Sequence, residues 1–256
     1  MKLADYIAPF ADEISFWWMA FDDPQYPIHQ LGELSLDLSE KLRAVAIMVL
    51  LVKANTDGFY HNLIRSGISR KNYLQRLKQA GISQDHNQAS GRTGPLLDAI
   101  AAGEFNLAQQ IKSLSPTDWM EGHEYLDDYC YAQILFQLIE KDVNVEPVQL
   151  IISRFSEYLS DESSARLDVC QALLDKNRAA FDDAFNELLE EQETLIAENI
   201  ERGEMEEPEV LAEREVFVEG LALLRIAARR GLSTESEYRY CPSLARLPMQ
   251  TPFVDL

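Results

Sequence analysis

Residues 169–231 set the terms for the rest of the chain, because they read as two long amphipathic helices joined by one short break. Phe181, Phe185, Leu188, Leu189, Leu195, Ile196 and Ile200 recur at steps of three and four, which places them on one face of a helix. The opposite face is almost wholly acidic. In the second helix Val210, Leu211, Phe217, Val218, Leu221 and Leu224 repeat the pattern, with Glu209, Glu213 and Glu219 off the stripe. Gly203 suits a left-handed helix end, Pro208 suits a first helical turn, and the acids between them suit the positive end of the next helix. The expected unit is an αα-hairpin with helices of about 25 residues, each roughly 37 Å long.

Between Asp182 and Glu219 stand fifteen acids against Arg202 and Arg214, and the whole chain carries a formal charge of −20. Like charges at helical spacing cost stability, so a solvated face competes here with a surface kept for a basic partner. Such a balance opposes direct binding of nucleic acid and favours fast encounter with basic proteins. One segment runs the other way. Residues 58–84 hold no acid and include Arg70, Lys71, Arg76 and Lys78, which suits pairing with the acidic hairpin at least as well as contact with phosphate.

The remaining chain also reads as helical. In residues 3–21, Tyr6, Phe10, Ile14, Trp17, Trp18 and Phe21 give a helix whose tryptophans suit a core better than a stacked ligand. Residues 22–37, with Pro24 and Pro27, read as a loop, after which Ser39 is placed to cap a densely apolar, central helix ended by Gly67. Ser69 then opens a short basic helix, and residues 84–94 read as a flexible loop or an internal boundary.

Three helix–break–helix units follow, with breaks at Gly103, at residues 142–147 and near Lys176 and Asn177. Their periods are unequal, so the expected architecture is an all-α bundle or array of αα-hairpins resembling tetratricopeptide architecture, not a true repeat. Past Ser233 the prolines predict an extended tail packed along the bundle. Residues 1–90 and 91–256 are two parts of what we expect to be one continuous unit.

Chemical signatures are missing. There is no Walker loop, GxGxxG, GxSxG or HExxH, and no cysteine pair has zinc-ligand spacing, so the expectation is a protein without catalytic residues, metal or cofactor. His123 and Asp127 stand at i, i+4 with Glu124 and Asp128 at the start of a helix, where acids complementing the helix dipole are the simpler explanation. Cys130 lies too far along that helix for His123 to activate it. The odd set of Cys130, Cys170 and Cys241 suits a reducing cytoplasm. The apolar run at residues 44–52 is too short to span a bilayer.

The strings LLDAIAAGEFNLAQQIKSLSP (96–116), ALLDKNRAAFDDAFNELLEEQ (172–192) and VFVEGLALLRIAARRGL (216–232), followed by YRYCPSL, resemble the immunity protein 49 family of bacterial polymorphic toxin systems. The likeness covers roughly residues 96–244. It implies an all-α cytoplasmic protein that binds and neutralises a cognate toxin, and it brings no catalytic residues. The acidity independently suits a basic, nucleic-acid-acting toxin, because complementary fields speed association. Candidate partner-binding residues are Asp182, Asp183, Glu187, Glu190, Glu191 and Glu198. The alternatives are a DNase-inhibiting immunity protein of another helical family, a helical-repeat adaptor for an endogenous protein or peptide, and a helical enzyme using His123 and Asp127 with a metal.

Overall fold

Helix α2 (Ile28–Lys53) has no face to leave in water from Ala44 to Leu50, all of which are buried, and Leu42, Ala46, Ile47 and Met48 have no exposed surface. It therefore sits at the centre, paired most extensively with α3 (Thr56–Ala80). Ala54 turns the chain in a left-handed conformation (φ 49°), and the Asn55 side chain accepts a hydrogen bond from Gly58 N at 2.8 Å to cap α3. The computed structural model describes residues 2–160, 162–203 and 208–254. Among them are eleven α-helices and no strand, and no helix is long and apolar enough to cross a membrane. The chain is all-α, as its patterning predicts.

Helix α1 (Ile7–Asp22) lies on α2 through Phe10, with Trp18 and Phe21 packed at the core's edge and Lys41 Nζ over the Phe10 and Trp17 rings. Three antiparallel hairpins follow as expected. They are α4 (Gly94–Ala101) with α5 (Phe105–Leu114), α6 (Leu126–Leu138) with α7 (Val145–Leu159), and α8 (Ala165–Asp175) with α9 (Arg178–Arg202).

Four sequence expectations fail, each for a physical reason. The segment 22–37 is a loop only to Pro27, because Leu31, Ser35 and Leu38 are buried and extend α2 backwards; Ser39 lies inside the helix, its hydroxyl donating to Leu36 O. Gly67 does not end a helix and Ser69 does not begin one, since α3 runs through both. A Cβ on Gly67 would sit 2.8 Å from Leu107 Cδ2 and 3.1 Å from Ala99 Cβ, so glycine there lets α4 and α5 close onto α3. Residues 84–94 are irregular but pinned: Arg70, itself buried, donates to Asn87 O and Ala89 O, while Glu124 accepts from Gly91 N.

The fourth concerns the acidic hairpin. Gly203 does end α9 with φ 74° and Pro208 does open α10 (Pro208–Glu213); the acids at 204–207 lie outside the described residues. The second helix is broken, however, because Phe217 N donates to Tyr240 O of the tail, and α11 (Val218–Arg229) starts only beyond it. Helix α9 pairs with α8, whereas α10 folds back on α2 and α11 on α4. The tail is irregular, with one 3₁₀ turn at Ser243–Arg246. It packs on the bundle through Tyr60, whose hydroxyl donates to Ala245 O at 2.8 Å, and through Asp57, which accepts from Gln250 N and Thr251 N.

Candidate interaction surface

Helix α9 positions five of the six candidate acids on one side. Asn177 caps it by accepting from Ala180 N, and Phe181, Ala184, Phe185, Leu188 and Leu189 are buried against the fold. At about 100° per residue, Asp183, Glu187, Glu190, Glu191 and Glu198 fall within an arc of about 100° on the far side. All five are exposed. Asp182 stands apart: half-buried, it faces the tail, paired with Arg178 at 3.4 Å, and its Oδ1 is buried without a hydrogen-bond partner. Glu198 pairs with Arg202 at 2.8 Å.

The interior arginines do not neutralise this face. Arg76 donates to the carbonyls of Asp23 and Tyr26, Arg230 to those of Leu173 and Leu174, and Arg225 to Ala101 O and the Tyr60 hydroxyl. Arg65 lies over the Phe253 ring and Arg229 over the Phe105 ring. The arginines of the basic stretch of α3 are thus spent on backbone and rings, and the pairing with the acidic hairpin expected of the stretch does not occur among the described residues. The negative field of α9 remains directed at solvent.

Beside α9 lies a groove that patterning did not reveal. Leu195 and Ile200, expected in the core, are 48% and 49% exposed. Two adjoining cavities of about 320 and 400 Å³ separate the second half of α9 from α10, α11 and the start of α6. On their floor Arg166 holds Glu219 through two hydrogen bonds of 2.7 Å, and the buried Tyr131 hydroxyl donates to the same carboxylate at 2.9 Å. Burial, then Glu219, pushes the Tyr131 hydroxyl well above its ordinary value. Burial and neighbouring Asp127 raise the Asp128 carboxyl against the pull of Arg166. The usable signal was the stripe itself, which runs on past the residues that a short α8 can cover.

His123 is not on α6. It sits in the preceding turn, its ring 6.2 Å from that of His86, and among the described residues no group of three metal-ligating side chains exists. Glu124 is a clasp, accepting from Met120 N and Gly91 N. Cys130 is fully buried and its thiol is pushed up to about 11 by burial.

The family model of immunity protein 49 matches residues 36–245. The chain belongs to the immunity protein 49 family. The match takes in α2 from its middle and all of α3, which the resemblance at residues 96–244 had left out. In immunity protein 49 terms, residues 1–35, which include α1 and the start of α2, and the last eleven residues stand outside the family region. Comparison with curated proteins and with solved structures gave no match.

Proposed function

We propose that the protein neutralises a cognate bacterial toxin by stoichiometric binding in the cytoplasm, without catalysis or cofactor, and that the toxin domain is basic and acts on nucleic acid. Membership of the immunity protein 49 family supports the partner class. The observation that carries the chemistry is the exposed acidic face of α9, on which Asp183, Glu187 and Glu190 have no ion-pair partner among the described residues, while Glu198 is paired with Arg202. Carboxylates at helical spacing offer a catalytic cleft built for phosphates a competing set of negative charges, and long-range attraction brings the complex together before the toxin acts. Inhibition is then occlusion of the toxin's active site.

The test is co-expression with the polypeptide encoded beside this chain's gene, scored by growth and by recovery of a complex on a tag. Rescue with an equimolar complex is expected. Toxicity that this protein fails to relieve, with no complex recovered, sinks the reading; binding of a housekeeping protein in its place would support the adaptor alternative.

A further inference from the structure

Helices α8 and α9 are unequal partners. With 11 and 25 residues they measure about 16 Å and about 37 Å at 1.5 Å per residue. The overlap ends where Glu191 Oε1 accepts from Ala165 N, the first residue of α8. Beyond that point the apolar stripe of α9 continues through Leu195 and Ile196, past the end of α8. It walls the groove described above, opposite Val210, Phe217 and Val218.

The charges lining this groove are uneven. Its three arginines are engaged: Arg43 with Asp98 and Glu213, Arg166 with Glu219, and Arg214 with Glu215 at 3.2 Å. Asp127, Asp128 and Glu191 also line it. Asp127 has one oxygen buried without a hydrogen-bond partner, and Asp128 lies 3.8 Å from the Arg166 guanidinium that Glu219 already holds. Burial first, and then Asp127, raises the Asp128 carboxyl despite Arg166. An acidic segment entering here would meet repulsion, and a wholly apolar one would strand carboxylates away from water.

We infer that this groove is the anchoring site for the toxin, and that its occupant is a basic amphipathic segment. Its apolar side chains lie on Leu195 and Phe217, and its lysines or arginines reach the carboxylates of Asp127, Asp128 and Glu191. The inference rests on the immunity reading and divides the labour within it. The outer acids of α9 govern encounter, and the groove governs residence.

The experiment uses the full chain and the toxin domain encoded by the neighbouring gene. Leu195 is half exposed, so Leu195→Asp and Leu195→Met keep the fold, with the melting temperature lowered by no more than about 2–4 °C. Leu195→Asp weakens the complex about tenfold or more, chiefly through faster dissociation, while Leu195→Met stays within about twofold. A photo-cross-linking residue at position 195 captures a toxin segment with lysine or arginine at helical spacing. Unchanged binding by Leu195→Asp, or a captured segment without basic residues, overturns the groove while the complex itself preserves the immunity reading. Failure of the unsubstituted protein to bind the toxin overturns both.

Discussion

Arg43 of α2 grips Asp98 of α4 with two hydrogen bonds, Nε to Oδ1 at 2.7 Å and Nη2 to Oδ2 at 3.0 Å, and Asp98 has no exposed surface. Ser66 of α3 donates to the same carboxylate and Glu213 of α10 reaches the same guanidinium, so one ion pair joins four helices. Removing a single partner strands the other charge away from water. Asp98→Asn or Arg43→Met should each cost about 3–5 kcal/mol, whereas the double replacement Arg43→Met with Asp98→Leu should cost less than the two single losses combined. Chemical denaturation measures all of these; additive losses would contradict the pairing.

Gly67 gives a test of opposing effects. On propensity alone Gly67→Ala should strengthen α3 by up to about 1 kcal/mol. The Cβ would meet Leu107 at 2.8 Å, so we expect a net loss of about 1–3 kcal/mol. Combining it with Leu107→Ala should cost less than the sum of the two, because the second change removes the obstruction.

Acid should loosen the tail before it unfolds the helices. Asp57 accepts from Gln250 N at 2.7 Å and Thr251 N at 3.0 Å, and the Gln250 bond is the first reason its carboxyl is held below the ordinary range. A carboxyl depressed in the folded state contributes stability that is present above its unfolded value, about 3.9, and lost as pH falls through the folded one. The protection of the Gln250 and Thr251 amides, measured against the intrinsic exchange rate at each pH, should therefore fall below about pH 4. Asp57→Asn should lower that protection at neutral pH and leave it nearly independent of pH in this range.

The thiols should be silent. Cys130, Cys170 and Cys241 are free and buried, and burial lifts the Cys130 thiol to about 11 and that of Cys241 to about 12. An aromatic disulfide reagent at pH 8 should find no reactive thiol in the native protein and three after denaturation.

The outer acids should act on rate. Reversing Asp183, Glu187 and Glu190 to lysine should slow association with the toxin domain by about tenfold at low salt, with little change in dissociation. The deficit should shrink as salt rises, because screening removes an attraction that the variant already lacks. An association rate equal to that of the unsubstituted protein would contradict the steering role.

What could be read from residues alone follows how local each feature is. Helices α4 to α9 declare themselves because their stops are local: Gly103, the Asp142–Pro147 break, and the Lys176–Asn177 turn with Asn177 as cap. The first half of α2 hid because the polar Ser35 and Ser39 are buried there along its length. Gly67 misled because close helix packing and helix termination use the same residue. The break before α11 was illegible, since it depends on Tyr240 of the tail taking the amide of Phe217. On the candidate surface the acids of α9 were plain from spacing. That Arg76, Arg225 and Arg230 do not reach them was not, because it turns on where those side chains point. The groove was legible only by setting the stripe of α9 against the shorter length of α8, because the stripe alone looks like core.

That difference in length leaves α9 serving two masters. Up to Glu191 its side chains hold the molecule together and are constrained by their neighbours. Past it, Leu195 is half exposed, and if the groove holds the partner as proposed, a substitution there alters recognition at little expense to folding. A lineage facing altered toxins can thus retune recognition one residue at a time, with the scaffold left untouched.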